Sequence, residues 1–345
     1  MSTIGRQVPT WLKAAILVIV LIVITRAFRS PSDTLFRFQV ANNELFAIES
    51  GDAYGTEVAV FTTSDEGESW QRMEAPAKTR CLAGNGADLL ALTSTHQVWR
   101  RTAKGEPWAF VTSLPGTHHY SLAVRRDGRF LVSGVNEVTY HDPDGKLLQR
   151  FTPEQIQPGH ILFSDFLFLD DSQERVLTEA SPFGIHLLYI AGGSLRRWEN
   201  EMPLAPDGDS GLVRIRRRGE GYIVSSFDGV YATNAEADPL RQIYEFRRGE
   251  RLDDEFCRDL VACDDDHHWL LASDSGIRLF EDDRQVRSVF SDRTVDPPDS
   301  DEHDLILQIV PYGNYYYVSF CRLKDKVIGV RLRRDLSDWE PMRLN

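Results

Sequence analysis

Cysteine is scarce in this chain, which has four among 345 residues, at Cys81, Cys257, Cys263 and Cys321. These are too few for a disulfide framework in a chain of this length, and their spacing matches no zinc motif. Each lies in or beside a short apolar run, where a free thiol behaves as a small hydrophobic group. We therefore predict buried thiols, with one disulfide as an open alternative if the chain is exported.

Motifs that carry catalytic chemistry are also absent. The sequence has no phosphate-binding P-loop, no dinucleotide glycine fingerprint, no Gly-x-Ser-x-Gly elbow and no His-Glu-x-x-His helix. We predict no catalytic residue, no cofactor and no metal ion, although an enzyme with residues scattered singly over several loops stays an alternative.

Two acidic clusters resemble calcium ligands only out of context, at residues 264–268 and 299–304. The first fills a short turn between two predicted strands, and the second follows Pro297 and Pro298 in a linker. The neighbouring histidines His118 and His119 have no identifiable third ligand. We interpret all three groups as solvated loop or strand residues.

Positive charge is in deficit, with 39 basic against 52 acidic residues and a net charge of −13. The first 30 residues nevertheless contain four basic residues and no acid, so the remaining residues 31–345 carry −17. Nucleic-acid binding depends on clustered lysine and arginine, and a surface this acidic repels phosphate. We therefore predict no nucleic-acid partner.

One long apolar run occurs, from Ala14 to Ile24. With its flanks it predicts a transmembrane signal anchor at residues 11–26, between a tail at 1–10 and a linker at 27–33. The anchor residues are Trp11, Leu17, Ile19, Leu21 and Ile24. A cleaved signal peptide is the rival interpretation, but the run ends in an arginine-containing segment without a small-x-small cleavage site. The predicted location is the bacterial inner membrane, with the following domain on the periplasmic side and the bilayer contacted by the anchor.

From residue 34 onward, short runs of β-branched and aromatic residues alternate with turns, and landmarks recur about every 45 residues. The first landmark is a valine or isoleucine that opens a short strand, at Val58, Val98, Val138, Ile185, Val230, Ile277 and Ile328. The second is an aromatic residue further on, at Trp70, Trp108, Phe151, Trp198, Phe246, Phe290 and Trp339. The two series stay in step, which predicts an all-β, seven-bladed β-propeller over residues 34–345, with six or eight blades as alternatives.

The residues Thr63, Asp65, Gly67, Ser69 and Trp70 fit the Asp-box pattern of hydroxyl residue, aspartate, glycine, hydroxyl residue and tryptophan. This segment resembles the Asp-box (BNR, sialidase-like) propellers, which include membrane-associated photosystem-assembly-factor-like members. The resemblance implies that the box is structural and lies away from any active site. The Phe/Tyr-Arg-Ile-Pro motif of the sialidases is missing.

The segment nearest to that sialidase motif is Val213 to Arg216. Strand alternation places Arg214 and Arg216 on one face of a predicted inner strand, where two guanidinium groups could hold an anion in a central channel. The alternative is that both arginines pair with acidic residues of the chain itself.

The sequence thus favours a membrane-anchored, non-catalytic propeller that acts as a protein-interaction, scaffold or assembly subunit of a membrane complex. The alternative is a sialidase-like hydrolase directed at glycans, or a ligand-binding sensor ectodomain that uses the central channel.

The predicted anchor can be tested by membrane extraction. We expect the full-length chain to stay with the membrane in high salt and carbonate, because an apolar span is held by the hydrocarbon core rather than by charge. A variant lacking residues 1–26 should be released. Release of the full-length chain, or a mature N-terminus after Thr25, would contradict the anchor. Protease accessibility in spheroplasts shows on which side of the membrane the domain lies.

Overall fold

A computed structural model describes residues 35–50, 59–115, 119–134, 137–151, 166–170, 175–178, 187–191, 194–197, 214–225, 229–233, 241–246, 257–265, 267–273, 276–290, 306–320 and 327–344. This part of the chain consists of strands and turns, without a helix. The prediction of an all-β chain is confirmed.

The strands form seven four-stranded antiparallel sheets, each made of four strands that are consecutive in the chain. Sheet one contains β1 Leu35–Ala41, β2 Glu44–Ser50, β3 Val60–Thr63 and β4 Gln71–Met73. Sheet two contains β5 Thr79–Gly84, β6 Leu89–Thr93, β7 Gln97–Arg101 and β8 Ala109–Ser113. Sheet three contains β9 His119–Val124, β10 Phe130–Gly134, β11 Glu137–His141 and β12 Leu147–Phe151. Sheet four contains β13 Phe166–Asp170, β14 Arg175–Thr178, β15 Leu187–Ala191 and β16 Ser194–Arg197.

The last three sheets repeat this organisation. Sheet five contains β17 Ile215–Arg218, β18 Gly221–Ser225, β19 Gly229–Thr233 and β20 Arg241–Glu245. Sheet six contains β21 Cys257–Ala262, β22 His268–Ser273, β23 Gly276–Glu281 and β24 Arg284–Phe290. Sheet seven contains β25 Ile306–Tyr312, β26 Tyr315–Phe320, β27 Val327–Arg333 and β28 Trp339–Arg343.

The first strands of successive sheets lie next to one another. The contacts run from β1 to β5 and on through β9, β13, β17 and β21 to β25, and β25 in turn contacts β1. The sheets therefore form a ring in which the first strand of each is inside and the fourth strand is outside. This arrangement is consistent with a β-propeller.

Apolar side chains fill the space between neighbouring sheets. Phe46 and Leu82 pack between sheets one and two, and Leu270 and Ile309 pack between sheets six and seven. Because neighbours cover both faces of a sheet, its second strand is buried along its whole length, as in Leu89–Thr93. Such a strand reads in the sequence as a continuous apolar run rather than as an alternation.

The repeat landmarks occupy equivalent places in the sheets. Those of the first series that the structure describes lie in third strands, at Val98, Val138, Val230, Ile277 and Ile328. Those of the second series lie within or directly beside fourth strands, at Trp70, Trp108, Phe151, Phe246, Phe290 and Trp339. Val58, Ile185 and Trp198 lie outside the described residues.

Sheet one meets sheet seven through the loop that precedes β4. The Glu66 carbonyl accepts hydrogen bonds from Tyr317 Oη and Arg331 Nη1, both at 2.8 Å. The Glu66 carboxylate accepts bonds from the backbone N–H and the side-chain amide of Asn314, at 3.3 and 3.2 Å. Below this loop, the rings of Phe38 and Tyr317 pack with centroids 5.9 Å apart. Among the described strands, sheets one and seven exchange none, and the contacts between them are side-chain packing and loop contacts.

The three described cysteines carry free thiols. Burial raises the pKa of Cys81 and of Cys257 to about 12, so both are protonated at neutral pH and act as small apolar groups. The half-buried Cys263 lies 3.2 Å from Tyr316 Oη, which donates to its sulfur. Cys321 lies outside the described residues.

No helix in the described part of the chain is long and apolar enough to cross a membrane. The predicted anchor, residues 11–26, lies outside the described residues.

Candidate functional site

The Asp-box residues form a hydrogen-bonded loop between β3 and β4. The Asp65 carboxylate accepts bonds from Thr63 Oγ1 at 2.7 Å and from the backbone N–H and hydroxyl of Ser69 at 2.9 and 2.5 Å. Thr63 Oγ1 in turn accepts the backbone N–H of Gly67 at 2.9 Å. These bonds hold the pKa of Asp65 at about 2, below its usual 3.8, with the Ser69 hydroxyl as the largest cause.

Two residues of the loop fit it against sheet seven. Gly67 has φ +84°, and a Cβ at this position would lie 3.1 Å from Tyr317 Cε1 and 3.2 Å from Met342 Sδ, so glycine serves both the turn and the close approach. Trp70 is buried, with its ring 5.9 Å from that of Phe38. The loop therefore connects the first sheet to the last sheet, which is a structural role.

The two arginines predicted as an anion site face a carboxylate of the protein. Arg216 Nη2 donates to Asp259 Oδ1 at 2.8 Å, and Arg214 Nε lies 3.7 Å from the same oxygen. Asp259 belongs to β21 in sheet six, whereas Arg216 belongs to β17 in sheet five and Arg214 directly precedes that strand. The side chain of Asp259 is 1% exposed, that of Arg214 is 19% exposed and that of Arg216 is 28% exposed.

Asp259 also joins sheet six to sheet seven. Its Oδ1 accepts the backbone N–H of Leu260 at 2.9 Å, and its Oδ2 accepts the backbone N–H of Ile309 on β25 at 3.0 Å. Three sheets therefore meet at one buried carboxylate. A desolvated carboxylate of this kind is tolerated because charged and neutral donors surround it.

The Asp259 carboxylate competes with any external anion for Arg214 and Arg216. An external anion would have to share the two guanidinium groups with the Asp259 carboxylate, which already lies 2.8 Å from Arg216 and 3.7 Å from Arg214. Anion binding by Arg214 and Arg216 stays a prediction. Sequence reasoning missed Asp259, although an acidic residue directly before the apolar residues Leu260–Ala262 of a predicted strand was a usable signal.

The acidic cluster at residues 264–268 spans the turn between β21 and β22 and the first residue of β22. Asp265 pairs with His268 at 2.6 Å, and Asp264 pairs with Arg334 at 3.2 Å. Among the described residues, no group of three or more His, Cys, Asp or Glu side chains could hold a metal ion. The second cluster, residues 299–304, and His118 lie outside the described residues.

Asp65→Ala should destabilise the fold in a pH-dependent way. At pH 7 we expect a loss of about 1–2 kcal/mol, because the hydroxyls of Thr63 and Ser69 and the backbone N–H of Ser69 lose an ionised acceptor. The folded-state pKa is below the usual value, so this stabilisation is present above pH 3.8 and is lost as the pH falls towards about 2. Urea unfolding at several pH values should show the difference from wild type shrinking over that window.

The matched control for this experiment is Glu68→Ala in the same loop, whose carboxylate is 69% exposed and 3.8 Å from Arg331. We expect a loss of under about 0.5 kcal/mol for it, since exposed ion pairs contribute little. An Asp65→Ala variant no less stable than the control would contradict the structural role of the box.

Asp259→Asn should be far more damaging than Asp282→Asn. Asp282 pairs with Arg218 at 2.9 Å, almost the distance of the Asp259–Arg216 pair, but its side chain is 64% exposed. Removing the buried charge leaves two confined guanidinium groups without their carboxylate, at a cost of about 3–5 kcal/mol, against about 0–1 kcal/mol for the exposed pair. Equal losses in the free energy of unfolding would refute this role of Asp259.

Comparison with known proteins finds similarity at the level of structure only. No family model matches the chain. No curated protein matches it either.

Many solved structures resemble the fold, and two of them show how far the similarity extends. YCF48 from Cyanidioschyzon merolae is 14% identical with a TM-score of 0.55, and the match covers 84% of this chain and 94% of that one. A chain described as the extracellular domain of the one-component system BT4673 from B. thetaiotaomicron is 13% identical with a TM-score of 0.50, covering 88% of this chain and 39% of that one. At these identities the similarity establishes the fold alone, an all-β array of four-stranded sheets consistent with a β-propeller.

Proposed function

We propose that the chain is a seven-bladed β-propeller that acts as a non-catalytic protein-interaction or scaffold subunit of a membrane complex. In this proposal each of the seven described sheets is one blade, and the Asp box of sheet one belongs to the closure of the ring. Residues 11–26 tether the disc to the bacterial inner membrane, with the propeller on the periplasmic side.

The observation that carries the proposal is the position of the exposed apolar side chains. Among the described residues, four of the five exposed large hydrophobic residues lie on fourth strands, at the outer rim of the ring: Phe110, Leu147, Leu148 and Val286. The faces of the sheets are packed against one another, and Arg214 and Arg216 are engaged with Asp259. The rim is therefore the surface on which apolar contact with another protein is available.

Two further arguments support an interaction subunit. The Asp-box segment resembles assembly-factor-like propellers, and YCF48 is among the structures of similar fold. The short predicted linker, residues 27–33, would also hold the disc close to the bilayer, where a neighbouring membrane complex is within reach.

The charge of the domain restricts the partner. Residues 31–345 carry −17, so an acidic contact surface would be repelled and a basic or apolar one is favoured. Binding dominated by charge weakens as salt screens it, whereas apolar contact does not.

Affinity purification of the full-length chain in mild detergent, followed by mass spectrometry, tests the proposal. We expect one membrane protein in stoichiometric amount. The double change Leu147→Asp and Leu148→Asp, which places charge on the rim, should reduce its recovery about tenfold or more. Val40→Asp is the matched control, because Val40 is similarly exposed but lies on the inner strand β1.

The competing function has a distinct outcome. A monomer that binds no partner, cleaves a sialoside and loses that activity in Arg214→Ala would establish a glycan-directed hydrolase in place of a scaffold. Binding of a small anion that Arg214→Ala abolishes would instead favour a ligand-binding ectodomain.

A further inference from the structure

The outer strand of each sheet has one edge without a partner strand in the described part of the chain. Such edges expose backbone N–H and C=O groups, and proteins protect them from unwanted pairing with charged residues or proline. Six of the seven outer strands follow this rule. Their charged residues are Arg72 in β4, Arg150 in β12, Arg196 and Arg197 in β16, Arg241 and Glu245 in β20, Arg284 and Arg287 in β24, and Glu340 and Arg343 in β28.

Strand β8 is the exception. Its residues Ala109–Ser113 have the sequence Ala-Phe-Val-Thr-Ser, with no charge and no proline. Phe110 is 52% exposed, more than any other exposed large hydrophobic residue in the described part of the chain. An edge strand that has neither charge nor proline and is rich in β-branched and aromatic residues lacks two of the features that prevent pairing with an added strand.

This edge is held firmly in place from both sides. The ring of Phe110 meets Trp99 edge-on at 5.5 Å, and Trp108 Nε1 donates to the Glu74 carbonyl of sheet one at 2.9 Å. From sheet three, Gly145 approaches so closely that a Cβ there would lie 2.8 Å from Thr112 Cβ. A strand that is already ordered loses little conformational entropy when another strand binds to it.

We propose that β8 is a docking edge for an extended segment of a partner protein, which adds to sheet two as a fifth strand. The segment has apolar side chains at alternate positions, one of which covers Phe110, and it is flanked by lysine or arginine. This inference rests on the proposed interaction function and names the contact site.

Backbone pairing supplies affinity in this mode, and pockets or rings contacted by alternate side chains supply specificity. Basic flanks follow from the net charge of −17 on residues 31–345. Close to β8 the exposed acids Glu106 and Asp144 are matched by the exposed Lys104 and Lys146, so the preference comes from the domain as a whole. A second copy would instead bring another domain, residues 31–345, with −17 of charge to the contact, which opposes self-association.

The test uses the full-length chain in detergent and a panel of short peptides that alternate threonine with valine, leucine or phenylalanine between lysine pairs. Versions with proline at alternate positions serve as non-pairing controls, because proline lacks the N–H and cannot continue a ladder. We expect binding by fluorescence anisotropy and slowed amide hydrogen exchange at residues 109–113, with no change in β24.

Phe110→Lys should weaken binding about tenfold or more, since it removes the contacted ring and adds a repelled charge. Val286→Lys is the matched control, an exposed apolar residue on the outer strand β24, and should bind as wild type does. Both positions are exposed, so equal urea unfolding midpoints will establish that neither variant acts through stability.

Three outcomes would overturn the proposal. The first is that no peptide of the panel binds or slows exchange at β8. The second is a concentration-dependent dimer that Phe110→Lys dissociates, which would assign the edge to a second copy. The third is undiminished recovery of the membrane partner by Phe110→Lys, which would leave the interaction function standing and remove β8 from it.

Discussion

The structure depends on the need of each four-stranded sheet to bury two apolar faces at once. A sheet such as β5–β8 is too small to cover either face by itself, and its second strand is buried along its whole length. Neighbouring sheets supply the cover, and a row of such sheets would leave its two ends exposed. A ring removes those ends, so closure between sheets one and seven is the condition for burial everywhere else.

Buried charge gives part of this ring a defined geometry that apolar packing alone would not impose. Shape-compatible apolar faces can slide, whereas Asp259 requires Arg216, Leu260 and Ile309 at hydrogen-bond distance. A shift of one residue between sheets five, six and seven would leave the carboxylate without donors in a desolvated place. We regard this cluster as a device for alignment, placed where the three inner strands converge.

The sequence predicts much of the fold because the repeat is local. Turn residues, the third-strand aliphatic residue and the aromatic residue near the fourth strand all lie within one sheet, so Val138 and Phe151 mark sheet three without knowledge of the others. Contacts between sheets are different. Arg216 and Asp259 are 43 residues apart in the chain, and the sequence of neither strand identifies the other as its partner. The absence of charge in β8 is likewise visible in the sequence, but only the topology identifies β8 as an edge.

Closure without a shared strand has a consequence for synthesis of the chain. Each sheet can form as soon as its own four strands have left the ribosome, since all its pairing is between neighbours in sequence. One face of the first sheet, however, stays uncovered until the last sheet is made. Tyr312 Oη donates to the Asn43 carbonyl across 269 residues, and Tyr317 and Met342 pack against Phe38 and Trp70. During nearly the whole of translation the aromatic face of sheet one is therefore uncovered, and a chaperone that shields it would be needed earliest and released last.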